Sequence, residues 1–452
     1  MSDLRHWCTR IRRGLFALTA AGAIGLTGTA SGQFGEAAGF GEVMGPYYFK
    51  RDLVHFIDGL NLDDSQTVIL ESLYWDYTDA QEASKQEMIE RLQNMREQFE
   101  TLDRDRIMQI IFTPFEDRCA EWEALNEQFV QSVQSILNST QLQRWPQFRQ
   151  KLRREKQLPR GRLTGERLDL FHILEEIDLD EPTRVLIEPT LRQYANSLDE
   201  ALTRRQDLFR ESRLLMMHSI RDEEPEAALK IYQDQVDARV RVRNVNDEYT
   251  EAIATALPDE AGATFLETAR ERAYPRVFRT TAAQRVFEAA LELSGLDPAT
   301  LKAIDDLFRE YLTRLDAINE RILRLTREYE PKEQEYRAAV FALRGTGQRP
   351  DRPVDPTRAE FRKRDDLGRE YIERLRALLT DEQFRGLPGI NRFLNERRSH
   401  GRLDPDRVKG VGTTRDGKSG GTPNRRNKDA GISRSGSGGA GNTSNKGSGG
   451  PK

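Results

Sequence analysis

Residues 62–77 read LDDSQTVILESLYWDY, and two further stretches of the chain repeat the pattern. LDEPTRVLIEPTLRQY starts at residue 179, 117 positions later, and LDPATLKAIDDLFREY starts at 296, another 117 on. In each copy Leu-Asp opens the run, an aliphatic residue stands eight positions on (Leu70, Ile187, Ile304), and a tyrosine stands fifteen on. A period of this length is far longer than that of ordinary solenoid repeats and has the size of a small domain. The chain reads as three copies of one helical unit.

Within the copies the apolar spacing is that of a helix. In the third, Leu301, Ile304, Phe308, Tyr311, Leu315, Ile318, Ile322, Leu325 and Tyr329 alternate steps of three and four, as in a coiled-coil seam. Such a stripe has to be covered, by an antiparallel helix or by a second subunit, so a homo-oligomer is one open arrangement. Each unit also supplies a second helix. Aligning Leu137, Leu257 and Leu379 places Phe129, Tyr249 and Tyr371 eight residues earlier. Breaker-rich turns near 103–114, 221–225 and 345–356 separate the two helices, and alternating strand patterns are nearly missing. The expected fold is all-α. It consists of three tandem long helical hairpins with short flanking helices and coiled-coil-like packing, over residues 51–160, 161–277 and 278–400.

The ends of the chain differ in kind. Arg5, Arg10, Arg12 and Arg13 precede the uncharged stretch 15–30, and Ala30-Ser31-Gly32 offers small residues for cleavage before Gln33. Residues 1–32 therefore read as a secretory signal peptide, which places the mature chain in the periplasm or outside the cell. The apolar core is short and broken by Gly and Thr, so stable membrane insertion is not expected; an uncleaved anchor is the alternative. Arg12-Arg13 leaves both the general and the twin-arginine export routes open. Residues 33–50 form a lead-in whose Tyr47, Tyr48 and Phe49 are expected to dock on the first unit. Residues 401–452 contain 14 glycines and no aromatic residue, the composition of a disordered tail. Beyond the leader only Cys119 remains, so packing rather than an internal disulfide must hold the fold.

Charge is divided unevenly. The net value is −4, but residues 1–32 carry +3 and residues 401–452 carry +7, which leaves −14 for the body between them. An acidic body does not suit nucleic acid, which requires phosphate neutralisation. The tail segment 412–419 matches the spacing of a phosphate-binding loop, G-x-x-x-x-G-K-S. No strand pattern precedes it and Gly-Gly-Thr-Pro follows it, so no nucleotide site is expected.

The helix starts share one grammar. Leu379-Thr380-Asp381-Glu382-Gln383 and Leu137-Asn138-Ser139-Thr140-Gln141 each have the cap, the glutamine three residues on and the preceding leucine of a stapled capping box. Asp63 and Gln66 repeat the box, and Asp297 caps with Pro298 at the first helical position. The middle unit has Leu257-Pro258-Asp259-Glu260-Ala261 instead and loses the pattern.

Two L-[T/N/D]-x-x-Q starts per hairpin, behind a signal peptide, resemble the Spy/CpxP-like LTxxQ-motif family of periplasmic helical-hairpin proteins. Leu62, Gln66, Leu137, Gln141, Leu379, Thr380 and Gln383 carry the resemblance. It extends over residues 51–400 if each 117-residue unit counts as one family member. The resemblance implies small α-helical hairpins, often paired as dimers into a curved cradle, with chaperone, envelope-stress and metal-responsive members. Three units in one chain would stand in for dimerisation.

The expected function is that of an exported, chaperone-like or protein-interaction module. It would bind partner proteins or unfolded clients on apolar surface between hairpins, without a cofactor. Tyr77, Tyr194, Tyr311, Phe129, Tyr249 and Tyr371 are the candidate partner-binding residues, with hairpin core as their other reading. Two alternatives stand beside it. Asp52 with His55 and Asp169 with His172 put a carboxylate and an imidazole three residues apart, a spacing that serves metal ligation on a helix. A rigid helical spacer is the second alternative. No nucleophile motif or paired cysteine points to an enzyme.

Overall fold

The helices begin where the capping residues place them. The computed structural model describes residues 43–95, 104–177, 179–222, 224–343 and 349–394, and over these the chain is all-α. The expected leader, the first part of the lead-in, the phosphate-loop-like segment and the tail lie outside the described residues.

One order recurs three times: short helix, two long helices, short helix. The first hairpin comprises α1 (Asp52–Leu60), α2 (Asp64–Met95), α3 (Arg104–Ser135) and α4 (Ser139–Gln157). The second comprises α5 (Leu170–Glu176), α6 (Glu181–Arg221), α7 (Pro225–Ala256) and α8 (Asp259–Ala273). A single turn, α9 (Pro275–Phe278), leads to α10 (Ala282–Leu291), α11 (Pro298–Ala342), α12 (Thr357–Arg376) and α13 (Asp381–Gly386).

Before α2, Asp63 Oδ1 accepts from the Gln66 N–H at 2.8 Å, and Gln66 Oε1 accepts from the Asp63 N–H at 3.1 Å. Asn138 with Gln141 and Thr380 with Gln383 form the same reciprocal box. Asp297 accepts from the Ala299 and Thr300 N–H groups. Each such cap stabilises its helix by about 1 kcal/mol. α8 starts after Pro258 with no side-chain cap, as its sequence leads one to expect. Thr281 and Gln284 add a box at α10 that the sequence reading did not single out. The first turn is shorter than expected, because α3 begins at Arg104 and runs through Pro114. Phe112 and Phe115 flank that proline and pack against Met216 and Met217.

At one level of each hairpin a tyrosine of the first long helix meets an aromatic ring of the second. Centroids are 4.9 Å apart for Tyr77–Phe129, 5.5 Å for Tyr194–Tyr249 and 5.4 Å for Tyr311–Tyr371. Buried hydroxyls need partners. Tyr77 donates to Asn126 Oδ1 at 2.6 Å and Tyr194 to Asn246 Oδ1 at 3.0 Å. The third hairpin has Gly368 at the equivalent position, and there Tyr311 shares a hydrogen bond with Thr281 at 2.9 Å. Tyr47 and Tyr48 of the lead-in are buried in the first core, whereas Phe49 is exposed.

The three cores are not separate. Ile304, Tyr311 and Leu315 of α11 pack within the third hairpin, but Ile322 and Leu323 belong to the core of the second, beside Val242, Val245 and Ile253. Ile318 touches both. The seam is thus covered inside one chain, first by α12 and then by α7; Leu301, in the first turn, remains exposed. On the other side α3 and α4 lie against α6, where Glu116 meets His218 at 2.9 Å and Arg153 pairs with Asp199.

Two hairpin-base ties yield predictions. Gln66 and Gln141 donate to each other's Oε1 at 2.8 Å, joining the start of α2 to the start of α4. In the second hairpin both amides are replaced together, by Thr183 and Ala261. Gln66→Ala and Gln141→Ala are each expected to lower stability by about 1 kcal/mol, with a coupling of similar size in a double-mutant cycle. Denaturant unfolding measures it, and strict additivity would show that the amides do not act as a pair. In the third hairpin Arg374 and the Tyr371 hydroxyl grip Glu310 and pull its carboxyl down to about 2. A depressed carboxylate stabilises the fold above its unfolded value and loses that contribution as pH falls through the folded one. Glu310→Gln should therefore flatten the acid limb of the stability profile between about pH 4.5 and 2. An unchanged limb would contradict this.

Candidate functional site

The aromatic residues proposed from sequence as partner-binding do not form an open surface. Tyr77, Tyr194, Tyr311, Phe129 and Tyr371 are buried and Tyr249 is half-buried, all within the ring pairs above. Their seam positions put them in the hairpin cores. Trp122 and Trp145 are buried, whereas Trp75 is 52 % exposed, with the Lys50 ammonium 5.3 Å from its ring centroid.

The two Asp-x-x-His pairs are also occupied differently. Asp52 binds the Lys156 ammonium and the Phe49 N–H, and His55 faces Glu155 at 3.0 Å. Asp169 caps α5 at the Phe171 N–H and accepts from Arg154 at 2.8 Å, while His172 is exposed. Each aspartate thus has a cation of its own. Among the described residues, no three His, Cys, Asp or Glu side chains gather as metal ligands. No described helix is long and apolar enough to cross a membrane.

A different feature arises from an inequality of helix lengths. α3 and α7 have 32 residues each, whereas α12 has 20 and its partner α11 has 45. Pro350, Pro353 and Pro356 precede α12, and prolines at this spacing forfeit the donors and spatial room a helix needs. The far part of α11 therefore lacks the second helix of its own hairpin. It lies beside α7, and the proline segment crosses nearby. Between them is a groove of about 310 Å³ whose apolar walls are Leu229 and Tyr232 of α7, Ala339 and Tyr336 of α11, and Pro350 and Pro353. Gln233, Lys332, Glu335 and Asp351 supply its polar edge. Burial, reinforced by Asp237, pushes the Glu335 carboxyl up, and Lys332 opposes the shift.

Apolar surface continues from the groove. Tyr232 also packs on the cluster of Met216, Met217, Phe112 and Phe115. Leu214, Leu215, Val340 and Val354 are exposed at the same end of the hairpins, Val354 at 89 %. The sequence did hold a signal for this end. Five of the seven methionines (Met88, Met95, Met108, Met216, Met217) fall in the turn-proximal stretches of the first two hairpins. Methionine is flexible and polarizable, and it adapts to irregular apolar partners.

The remaining concentration of buried charge joins hairpins together. Glu166, fully buried, accepts from the Arg162 N–H at 2.6 Å and the Leu163 N–H at 3.1 Å, from Arg205, and from Arg239 at 3.3 Å. Arg205 continues to the Gln157 carbonyl of the first hairpin at 2.5 Å, and Arg239 to the Arg160 carbonyl at 3.1 Å. Burial pushes Arg239 down to about 10, with Glu166 pulling it back. Next in the chain, Gly165 has φ +81°, and a Cβ there would lie 2.8 Å from the Tyr274 hydroxyl. Thr164 donates to Glu330 of α11. One short loop thus contacts all three hairpins.

No protein-family model, curated protein or solved structure matches the chain.

Removing one member of a buried charge cluster leaves the others uncompensated and costs about 3–5 kcal/mol. Glu166→Ala is expected to lower stability by that order in thermal or denaturant unfolding. A loss below about 1 kcal/mol, the scale of surface pairs, would mean that the loop does not tie the hairpins.

Proposed function

We propose that this is an exported protein-interaction module of chaperone-like type, which holds apolar segments of client or partner proteins between its hairpins. The observation that carries the reading is the groove beside Tyr232 and Tyr336, with Leu214, Leu215, Val340 and Val354 exposed at the same end of the hairpins. Apolar surface that remains exposed in a strongly charged body is a mark of interaction sites. The LTxxQ-like starts support the same class, since Gln66 and Gln141 act as paired closures of a hairpin end. The leader-like residues 1–32 support export to the periplasm or beyond.

A structural spacer is the second reading, favoured by the buried Glu166 cluster that binds the hairpins into one body. The metal-responsive reading loses its support, because Lys156 and Arg154 already neutralise its two aspartates.

The aggregation of a thermally unfolding test enzyme, followed by light scattering, separates the first two. Equimolar protein is expected to suppress scattering. Replacing Leu215 and Val340 by Asp should reduce the effect without altering the far-ultraviolet helical signal. Absence of suppression at stoichiometric protein would leave the spacer.

A further inference from the structure

We propose that the groove between α7 and α11 binds one extended peptide segment that combines apolar side chains with arginine or lysine. The inference deepens the interaction reading above and rests on it for biological use, though not for binding itself.

The dimensions come first. Lys332 to Ala339 spans about 10 Å of helix at 1.5 Å per residue, room for about three extended residues at 3.3 Å each. A helix, about 10 Å across with its side chains, would not fit in about 310 Å³. The walls come second. Tyr232 and Tyr336 face the groove together with Pro350 and Pro353. Aromatic-lined grooves suit extended, proline-containing segments, which lose little conformational entropy on docking.

The charge comes third. Among the lining residues Glu335 and Asp351 face the one cation Lys332, Asp237 acts on Glu335, and Arg352 of the rim is engaged by Glu333. An arginine or lysine on the ligand would offset this excess and relieve the desolvated Glu335 carboxylate.

The chain itself supplies the fourth argument. Its own rim segment, residues 349–354, reads Arg-Pro-Asp-Arg-Pro-Val, a non-helical, proline-containing stretch with two arginines, of which Pro350, Asp351 and Pro353 line the groove. Its Arg352 pairs with Glu333 of α11 at 3.5 Å. The groove thus already accommodates this chemistry along one edge and leaves the remaining volume open to a second segment of the same kind.

Fluorescence anisotropy on the full chain tests the proposal with a labelled peptide, RPLRPVL, and a second in which both arginines are glutamates. The arginine peptide is expected to bind about tenfold more tightly than the glutamate peptide, and more weakly as salt rises. A Tyr232→Ala, Tyr336→Ala double variant should lose binding, and the surface change Glu335→Gln should weaken it. Equal affinity for the two peptides would overturn the proposal without recourse to any variant. So would undiminished binding by a folded double variant. Suppressed aggregation without peptide binding would sink the groove and spare the chaperone-like reading; peptide binding without suppression would do the reverse.

Discussion

A buried carboxylate, Glu166, ties the second hairpin to the first. It is fully buried and satisfied by two guanidinium groups and two backbone N–H groups, and its arginines reach on to carbonyls of the first hairpin. Buried charge is tolerated only where geometry and extra hydrogen bonds offset desolvation. That requirement is strict about position. A hairpin that slid along its neighbour would pull Arg205 or Arg239 away from the only geometry in which both are compensated. Apolar packing between helices tolerates more displacement, so the cluster sets register where leucine contacts alone would permit several.

Around this point the three hairpins express one plan with local substitutions. The tyrosine–aromatic pair occurs in each, but the hydroxyl is answered by Asn126, Asn246 or Thr281. The paired motif amides survive in the first hairpin and disappear together in the second. The second long helix of the third hairpin, α12, carries Arg362, Asp366 and Arg369 on exposed positions. The third hairpin keeps Gln383 in its capping box but has Thr300 where the first has Gln66, so only the first hairpin retains both amides.

Much of the architecture was legible in the sequence. The 117-residue period, the capping boxes and the three-four spacing lead to all-α hairpins, and the unpatterned start at Leu257 marks a short helix that begins without a side-chain cap. Two things were hidden. The seam of α11 is continuous in sequence, and nothing in its spacing reveals that Ile322 and Leu323 change allegiance to the second hairpin. That depends on where α12 ends, a tertiary fact. The candidate site was misread for a related reason. Tyr77, Tyr194 and Tyr311 stood out because they recur, and recurrence in a duplicated chain follows the core. The groove occurs once, where Pro350 and Pro353 shorten one helix, so a search for repetition passes over it.

The shared length of α11 also bears on the order in which the chain becomes a folded body. Synthesis proceeds from the N-terminus, and domains that can close early do so. Here the second hairpin cannot finish its core until Ile322 and Leu323 have been made, long after its own last helix. Apolar surface on α7, around Val242 and Val245, waits uncovered in the interval. The third hairpin thereby completes the core of the second.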